Sequence, residues 1–198
     1  EMFGAEQVLM NNAANKEVFN DIVSLVDEFK QYFTDNKQPI YENPSPGNKA
    51  GGLSTLEEKS LGAIQKGGNA SVMDVIQYGE KAVAKNGITL LQGPGNDAVS
   101  STALAASGAN MVLFTTGRGT PLGVPVPTVK IASNSSLAKR KKHWIDYDAG
   151  QLLQLDKTQE QCTEEFFQQL LEIASGCATK NELNQFKEIS IWKGGVTL

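Results

Sequence analysis

Histidine and cysteine are nearly missing: the 198 residues hold one His and two Cys. Cys162 and Cys177 are too few and too far apart for a cysteine-type zinc site, and they fit reduced thiols. The lone His143 stands beside Trp144 after a basic run, which reads as a helix-end or partly buried imidazole rather than a ligand. Long apolar runs are also missing. No stretch approaches transmembrane length and no signal peptide is visible, so a cytoplasmic protein with no membrane partner is expected. Positive charge is not in excess. With 18 Lys and Arg against 22 Asp and Glu, the net charge of −4 argues against a nucleic-acid partner. The local run Lys139-Arg-Lys-Lys142 reads as a solvated helix end. Neither a G-x-G-x-x-G fingerprint nor a P-loop occurs, which argues against a nucleotide site.

What is present suffices for a core, since 40% of residues are apolar. The chain is organised around residues 88–121. Ile88 to Leu91 has the composition of a buried strand, and Gly93-Pro94-Gly95 breaks it. Asn96 or Asp97 can cap a small-residue helix that Gly108 ends, and Met111 to Phe114 starts a second strand. Such a strand–loop–helix–strand unit is expected to form a parallel pair with a right-handed crossover. Ligands in such sheets bind beyond the carboxyl ends of the strands. Asn96, Asp97, Thr115, Thr116, Arg118 and Thr120 could therefore converge. The plainer reading of Gly-Pro-Gly-Asn-Asp is a tight turn with a good cap. The second loop, Thr115-Thr-Gly-Arg-Gly-Thr120, carries three hydroxyls, a guanidinium fork and two glycines that let backbone approach a ligand.

Elsewhere, residues 6–13 read as a short helix. Asn15 caps a long one with apolar positions Val18, Phe19, Ile22, Leu25, Val26, Phe29, Tyr32 and Phe33 at three-and-four spacing. Residues 38–52 hold three prolines and three glycines and should lack regular structure. Their content of Tyr41, Glu42, Asn43, Asn48 and Lys49 suits an ordered, ligand-facing loop. Ser54 and Glu57 form a candidate capping box. Glu58 and Lys59 have no such explanation beyond an ordinary helix-surface pair. Residues 73–78 read as strand or short helix. Pro125 and Pro127 exclude a central strand there. Strands are expected at Thr128 to Ala132, Trp144 to Tyr147 and Ile189 to Trp192. Helices are expected at 137–142, from Thr158 to a Gly176 cap, and at 181–186.

The sum is an α/β protein: a mostly parallel sheet with flanking helices, Rossmann-like layering and an N-terminal helical segment. A single domain over 1–198 is expected, with a helical lead-in at 1–37, a Pro/Gly-rich loop at 38–52 and an α/β core at 53–198. The opening at Glu1 reads as the interior of a larger protein, so a C-terminal catalytic-type piece with upstream domains is expected.

The segments Pro44-Ser-Pro-Gly-Asn-Lys49, Gly51-Gly52, Thr55-Leu-Glu-Glu-Lys-Ser-Leu-Gly62, Gln65-Lys-Gly-Gly68, Gly93-Pro-Gly-Asn-Asp97, Phe114-Thr-Thr-Gly-Arg-Gly-Thr-Pro121 and Pro127-Thr-Val-Lys-Ile131 carry a resemblance. They resemble the altronate and galactarate dehydratase family over essentially the whole chain. Gly51 and the segments from Glu42 to Pro46 favour its altronate branch. The resemblance implies a hydro-lyase of hexuronate catabolism. It would convert altronate to 2-keto-3-deoxygluconate, depend on Fe2+ or another divalent metal, and use upstream domains of the same chain.

Dehydrating a 2,3-dihydroxy acid removes a weakly acidic proton beside a carboxylate and expels hydroxide, so an anionic intermediate needs cationic or metal support. Arg118 is the candidate carboxylate clamp. Lys49 and Lys59 are candidates for charge stabilisation or the base. Asp97 and Asn96 are candidates for metal or hydroxyl contacts, and Glu42 for the metal. Asn48, Thr115, Thr116, Gly117 and Thr120 are candidate substrate contacts. Fe(II) sites commonly use two His and a carboxylate. With His143 alone, the ligands would be carboxylate and amide oxygens or would come from upstream. A small-molecule sugar acid is the expected partner, with a homo-oligomer also compatible. Galactarate or another sugar acid is the alternative substrate, and a non-catalytic sugar-acid-binding module is the alternative of another class.

Overall fold

The computed structural model describes residues 2–40, 44–83, 86–154 and 157–195. Contacts divide the chain into two compact units, 1–95 with 193–198, and 96–192. Among the described residues no helix is long and apolar enough to cross a membrane.

In the first unit, α1 (Glu6–Asn11) and α2 (Lys16–Asp35) pack on a parallel pair, β1 (Val72–Ile76) and β2 (Ile88–Leu91). The Asn15 side chain accepts the Val18 N–H and caps α2, as its position predicts. Leu9, Val18, Ile22 and Val72 form the buried centre, with Ile64, Ile88 and Leu90 against it. Residues 73–76, open between helix and strand in the sequence, are strand because β2 is there to pair with them. Gly87 sits at φ +152°, and a Cβ there would lie 2.4 Å from Met73 Cγ and 2.5 Å from the Ser71 carbonyl. Only glycine passes so close to the neighbouring strand.

Three expectations change here. The 38–52 segment is not wholly irregular: α3 (Pro46–Ala50) forms, with Ser45 as cap and Pro46 at the first position, where its missing N–H costs nothing. The cap of α4 (Leu56–Ile64) is Thr55, not Ser54. Two adjacent hydroxyls each have a glutamate three residues on, so the sequence allows both frames. β2 is half-buried rather than fully buried.

The second unit holds a three-stranded parallel sheet, β3 (Val112–Thr116), β4 (Thr128–Ala132) and β5 (Tyr147–Asp148), in that order. Every residue of the central β4 is buried. Val129 and Ile131 face α7 (Gln159–Ala174) and pack with Ile173, Phe166 and Leu170. Ala132 packs with Leu137 of α6 (Ser135–Arg140) and Ile145. Burying each aliphatic side chain contributes about 1.5–3 kcal/mol. α5 (Asp97–Ala106) packs on β3, and α8 (Lys180–Leu183) on β4. The two helix caps expected from Asn96 and Thr158 are present, the latter as a reciprocal box with Gln161.

The α/β class with parallel strands and flanking helices stands. Its connectivity does not. Among the described residues β2 pairs with β1 and β3 with β4, so the expected β2–α5–β3 parallel pair is absent. The crossover from β3 to its parallel partner is instead the proline-rich segment 117–127. One expected strand starts later and another does not form. The edge strand begins at Tyr147 rather than Trp144, because Trp144 and Ile145 close the turn after α6 on the Lys141 carbonyl. Residues 189–192 are not a strand; Ile189 and Ile191 remain 66% and 76% exposed.

Candidate active site

The three strands of the second unit end level. Thr116 is opposite Ala132, and Ala132 is opposite Asp148. Their loops therefore leave from one edge, the carboxyl edge at which open parallel sheets bind ligands.

The turn after β3 is heavily braced. The Thr116 hydroxyl accepts the Gly119 N–H at 2.9 Å, and the Thr116 carbonyl accepts the Ser133 N–H at 3.0 Å. Asn134 Nδ2 donates to the Gly117 carbonyl at 3.1 Å. Lys141 Nζ donates to the Gly119 carbonyl at 3.3 Å, and Lys130 Nζ to the Thr120 carbonyl at 2.7 Å. Gly119 has φ +78°, and a Cβ there would lie 3.0 Å from both Leu137 Cδ1 and Lys141 Cδ. The glycine thus serves both the left-handed turn and the close approach of α6.

Thr115, Thr116, Gly117, Arg118 and Thr120 are accordingly brought into one turn. Thr115, Gly117 and Arg118 are exposed. The Arg118 guanidinium makes no hydrogen bond or ion pair among the described residues, leaving its fork open to an anion. Thr116 and Thr120 are half-buried, and both hydroxyls accept backbone N–H groups within the turn, Thr120 from Leu122 at 3.4 Å.

Asn96 and Asp97 open α5 and are exposed. The Asn96 oxygen accepts the N–H groups of Ala98 and Val99 at 3.1 and 3.2 Å, so its cap role is met in full. In the first unit, Lys59 Nζ donates to Asn48 Oδ1 at 3.1 Å, and Ser45 Oγ reaches the same oxygen at 2.9 Å. Asn48 and Lys59 thus form one cluster there, with Lys49 exposed beside it. Glu58, not Glu57, has the local structural partner: it accepts the N–H and hydroxyl of Ser54, and these bonds hold its carboxyl below the usual range. Glu42 lies outside the described residues. His143 is exposed with its ring 5.0 Å from that of Trp144, in keeping with a helix-end histidine.

Among the described residues no group of three or more His, Cys, Asp or Glu is placed to hold a metal ion.

The notable group missing from the sequence expectations is Lys130. It is fully buried at the centre of β4, with Nζ 5.3 Å from the Phe114 ring centroid. Burial pushes its ammonium down to about 8, and the carboxylates of Asp146 and Glu188 pull the other way. Asp146 accepts the backbone N–H groups of Lys130 at 2.7 Å and Lys180 at 2.8 Å. Its carboxyl is nevertheless raised by burial. The available signal was a lysine inside the run Thr-Val-Lys-Ile-Ala, the kind of run that reads as a strand buried on both faces.

A family model described as D-galactarate/Altronate dehydratase, C-terminal, matches residues 1–197. The chain belongs to this family. It is 58% identical over 198 residues to the altronate dehydratase of Bacillus subtilis (strain 168), and 58% identical over the same length to that of Escherichia coli (strain K12). All of this chain and 40% of each relative are covered. The galactarate dehydratase (L-threo-forming) of Escherichia coli (strain K12) is 36% identical over 177 residues, which is 89% of this chain and 34% of that relative. The chain thus spans well under half the length of these dehydratases, and the family's C-terminal region is the part it matches.

Proposed function

We propose that the chain is the C-terminal part of an altronate dehydratase of hexuronate catabolism. The observation that carries this reading is 58% identity along the whole chain to altronate dehydratases, against 36% to the galactarate enzyme. In the proposed reaction a base takes the C2 proton and the C3 hydroxyl leaves as water after protonation. The resulting enol then tautomerises to the 2-keto-3-deoxy acid. Negative charge gathers on the substrate carboxylate as C2 is deprotonated, so a cation fixed at that carboxylate acts on the transition state.

Arg118 supplies that cation in this reading: it is exposed at the carboxyl edge with an open fork, on a turn whose backbone is braced. Thr115 offers a hydroxyl to the polyol. Thr116, Gly117 and Thr120 shape the turn, since the two threonine hydroxyls are already engaged within it. Asp97, at the start of α5 in the same unit, is proposed to contact a hydroxyl. Upstream domains are proposed to complete the site, so residues 1–198 alone should show no dehydration; turnover by this piece would refute that.

The test is the full-length protein assayed with altronate and galactarate. Altronate should have the higher kcat/KM, and a galactarate preference would move the chain to the other branch. Arg118→Ala should lower kcat even at saturating altronate. A loss of affinity alone, with no turnover of any sugar acid by the parent protein, would make this a binding module.

A further inference from the structure

We infer that Lys130 is a positioning residue that fixes the Arg118 turn from beneath, an inference that rests on reading that turn as the substrate-carboxylate clamp. The position does not need a charge for packing. A methionine would fill the same slot without stripping water from an ammonium, and a buried charge is costly unless it is well partnered. Lys130 is fully buried, yet among the described residues its one side-chain hydrogen bond is the 2.7 Å contact to the Thr120 carbonyl, with the Phe114 ring face as its other neighbour.

What the lysine gains for the site is a fixed point. β4 is hydrogen-bonded on both sides and buried along its length, so a side chain rising from its centre is anchored on the middle strand of the sheet. Lys141, at the end of α6, holds the preceding carbonyl, Gly119, at 3.3 Å. The two backbone carbonyls that immediately follow Arg118 are therefore gripped by two lysines from two different elements. Together they set where the guanidinium starts. The carboxylates that influence Lys130 are Asp146, just before β5, and Glu188, which accepts the Gly123 N–H at 2.9 Å. Neither receives a hydrogen bond from Nζ, which leaves the Thr120 carbonyl as its directional partner.

The test uses the full-length protein with Lys130→Met, Arg118→Ala and the double variant. One lost hydrogen bond to a charged group should lower kcat/KM for altronate roughly tenfold in K130M. The double variant should be no worse than R118A, because Lys130 acts through Arg118. Losses that add would overturn the inference. A second readout is independent of activity: tryptic cleavage at the Arg118–Gly119 bond. In K130M it should accelerate several-fold relative to cleavage after Arg140; equal acceleration at both sites would mean general loosening and overturn the inference. If the parent protein shows no dehydratase activity, the functional reading fails alone and the cleavage assay still decides the role of Lys130. A chain that folds with neither Met nor Gln at 130 would make the lysine a requirement of folding, which also overturns the inference.

Discussion

Asn134 makes two bonds that can be removed separately. Its Oδ1 accepts the Leu137 N–H at 2.9 Å and caps α6, while its Nδ2 donates to the Gly117 carbonyl at 3.1 Å. Six residues are too few for α6 to stand alone, so the fully buried Leu137 relies on the cap and on packing. Losing an Asn cap costs about 1 kcal/mol, and losing one exposed turn bond about 0.5–1.5 kcal/mol. Asn134→Ala should therefore cost about 2 kcal/mol. Asn134→Asp keeps an acceptor at the helix start, where negative charge is favoured, and loses only the donor, so about 1 kcal/mol is expected. Urea unfolding followed by tryptophan fluorescence measures this, because both tryptophans of the chain, Trp144 and Trp192, lie in the second unit. Tryptic cleavage at Arg118 should accelerate equally in both variants, since both untie Gly117. If Asn134→Asp matched the parent in stability and cleavage, the view that this side chain holds the turn would be refuted.

Three further outcomes are expected. Stability of the parent relative to K130M should rise between pH 8 and 10.5. The folded ammonium loses its proton near 8 and the unfolded one near 10.5, so the unfolded state binds more protons across that window; the burial penalty, on the order of 3 kcal/mol, is present below it and relieved above. A flat difference in urea midpoint across these pH values would refute this. Gly150→Ala should destabilise by about 3 kcal/mol, because a Cβ would lie 2.3 Å from the Ser135 nitrogen and 2.5 Å from Asn134 Cα, both backbone atoms that cannot yield alone. Gly62→Ala, inside α4 of the first unit with open space around the new methyl, should instead stabilise that unit by about 0.5–1 kcal/mol in urea unfolding followed by far-ultraviolet circular dichroism, since both tryptophans lie in the second unit.

Local signals were legible because their physics is local. Asn15, Asn96 and Thr158 cap helices because a short acceptor sits at each start, and no distant residue is needed. The α2 face and the strand at Thr128 to Ala132 follow from side-chain pattern alone. Pairing did not follow. Chain neighbours β2 and β3 were expected to join, but each had another partner, and period and composition do not rank partners. Ile189 to Trp192 has strand composition, yet no ladder forms there among the described residues. The Ser190 N–H donates instead to the Thr102 hydroxyl at 3.1 Å, and the two isoleucines stay exposed.

The site divides along the same line. The Arg118 turn was legible because glycine, threonine and arginine after a strand are informative wherever the strand lies. Lys130 was not, because its meaning depends on β4 being the middle strand. On an edge strand a lysine at that position would reach water and its charge would cost little. Placed between β3 and β5, the same residue is sealed from solvent and can only donate upward, to the backbone that follows Arg118. Strand order therefore converts an ordinary surface cation into a fixed support. A turn braced in this way has little backbone freedom left to lose, so a carboxylate held by Arg118, as proposed, would bind at a smaller entropic cost than one held on a loose loop.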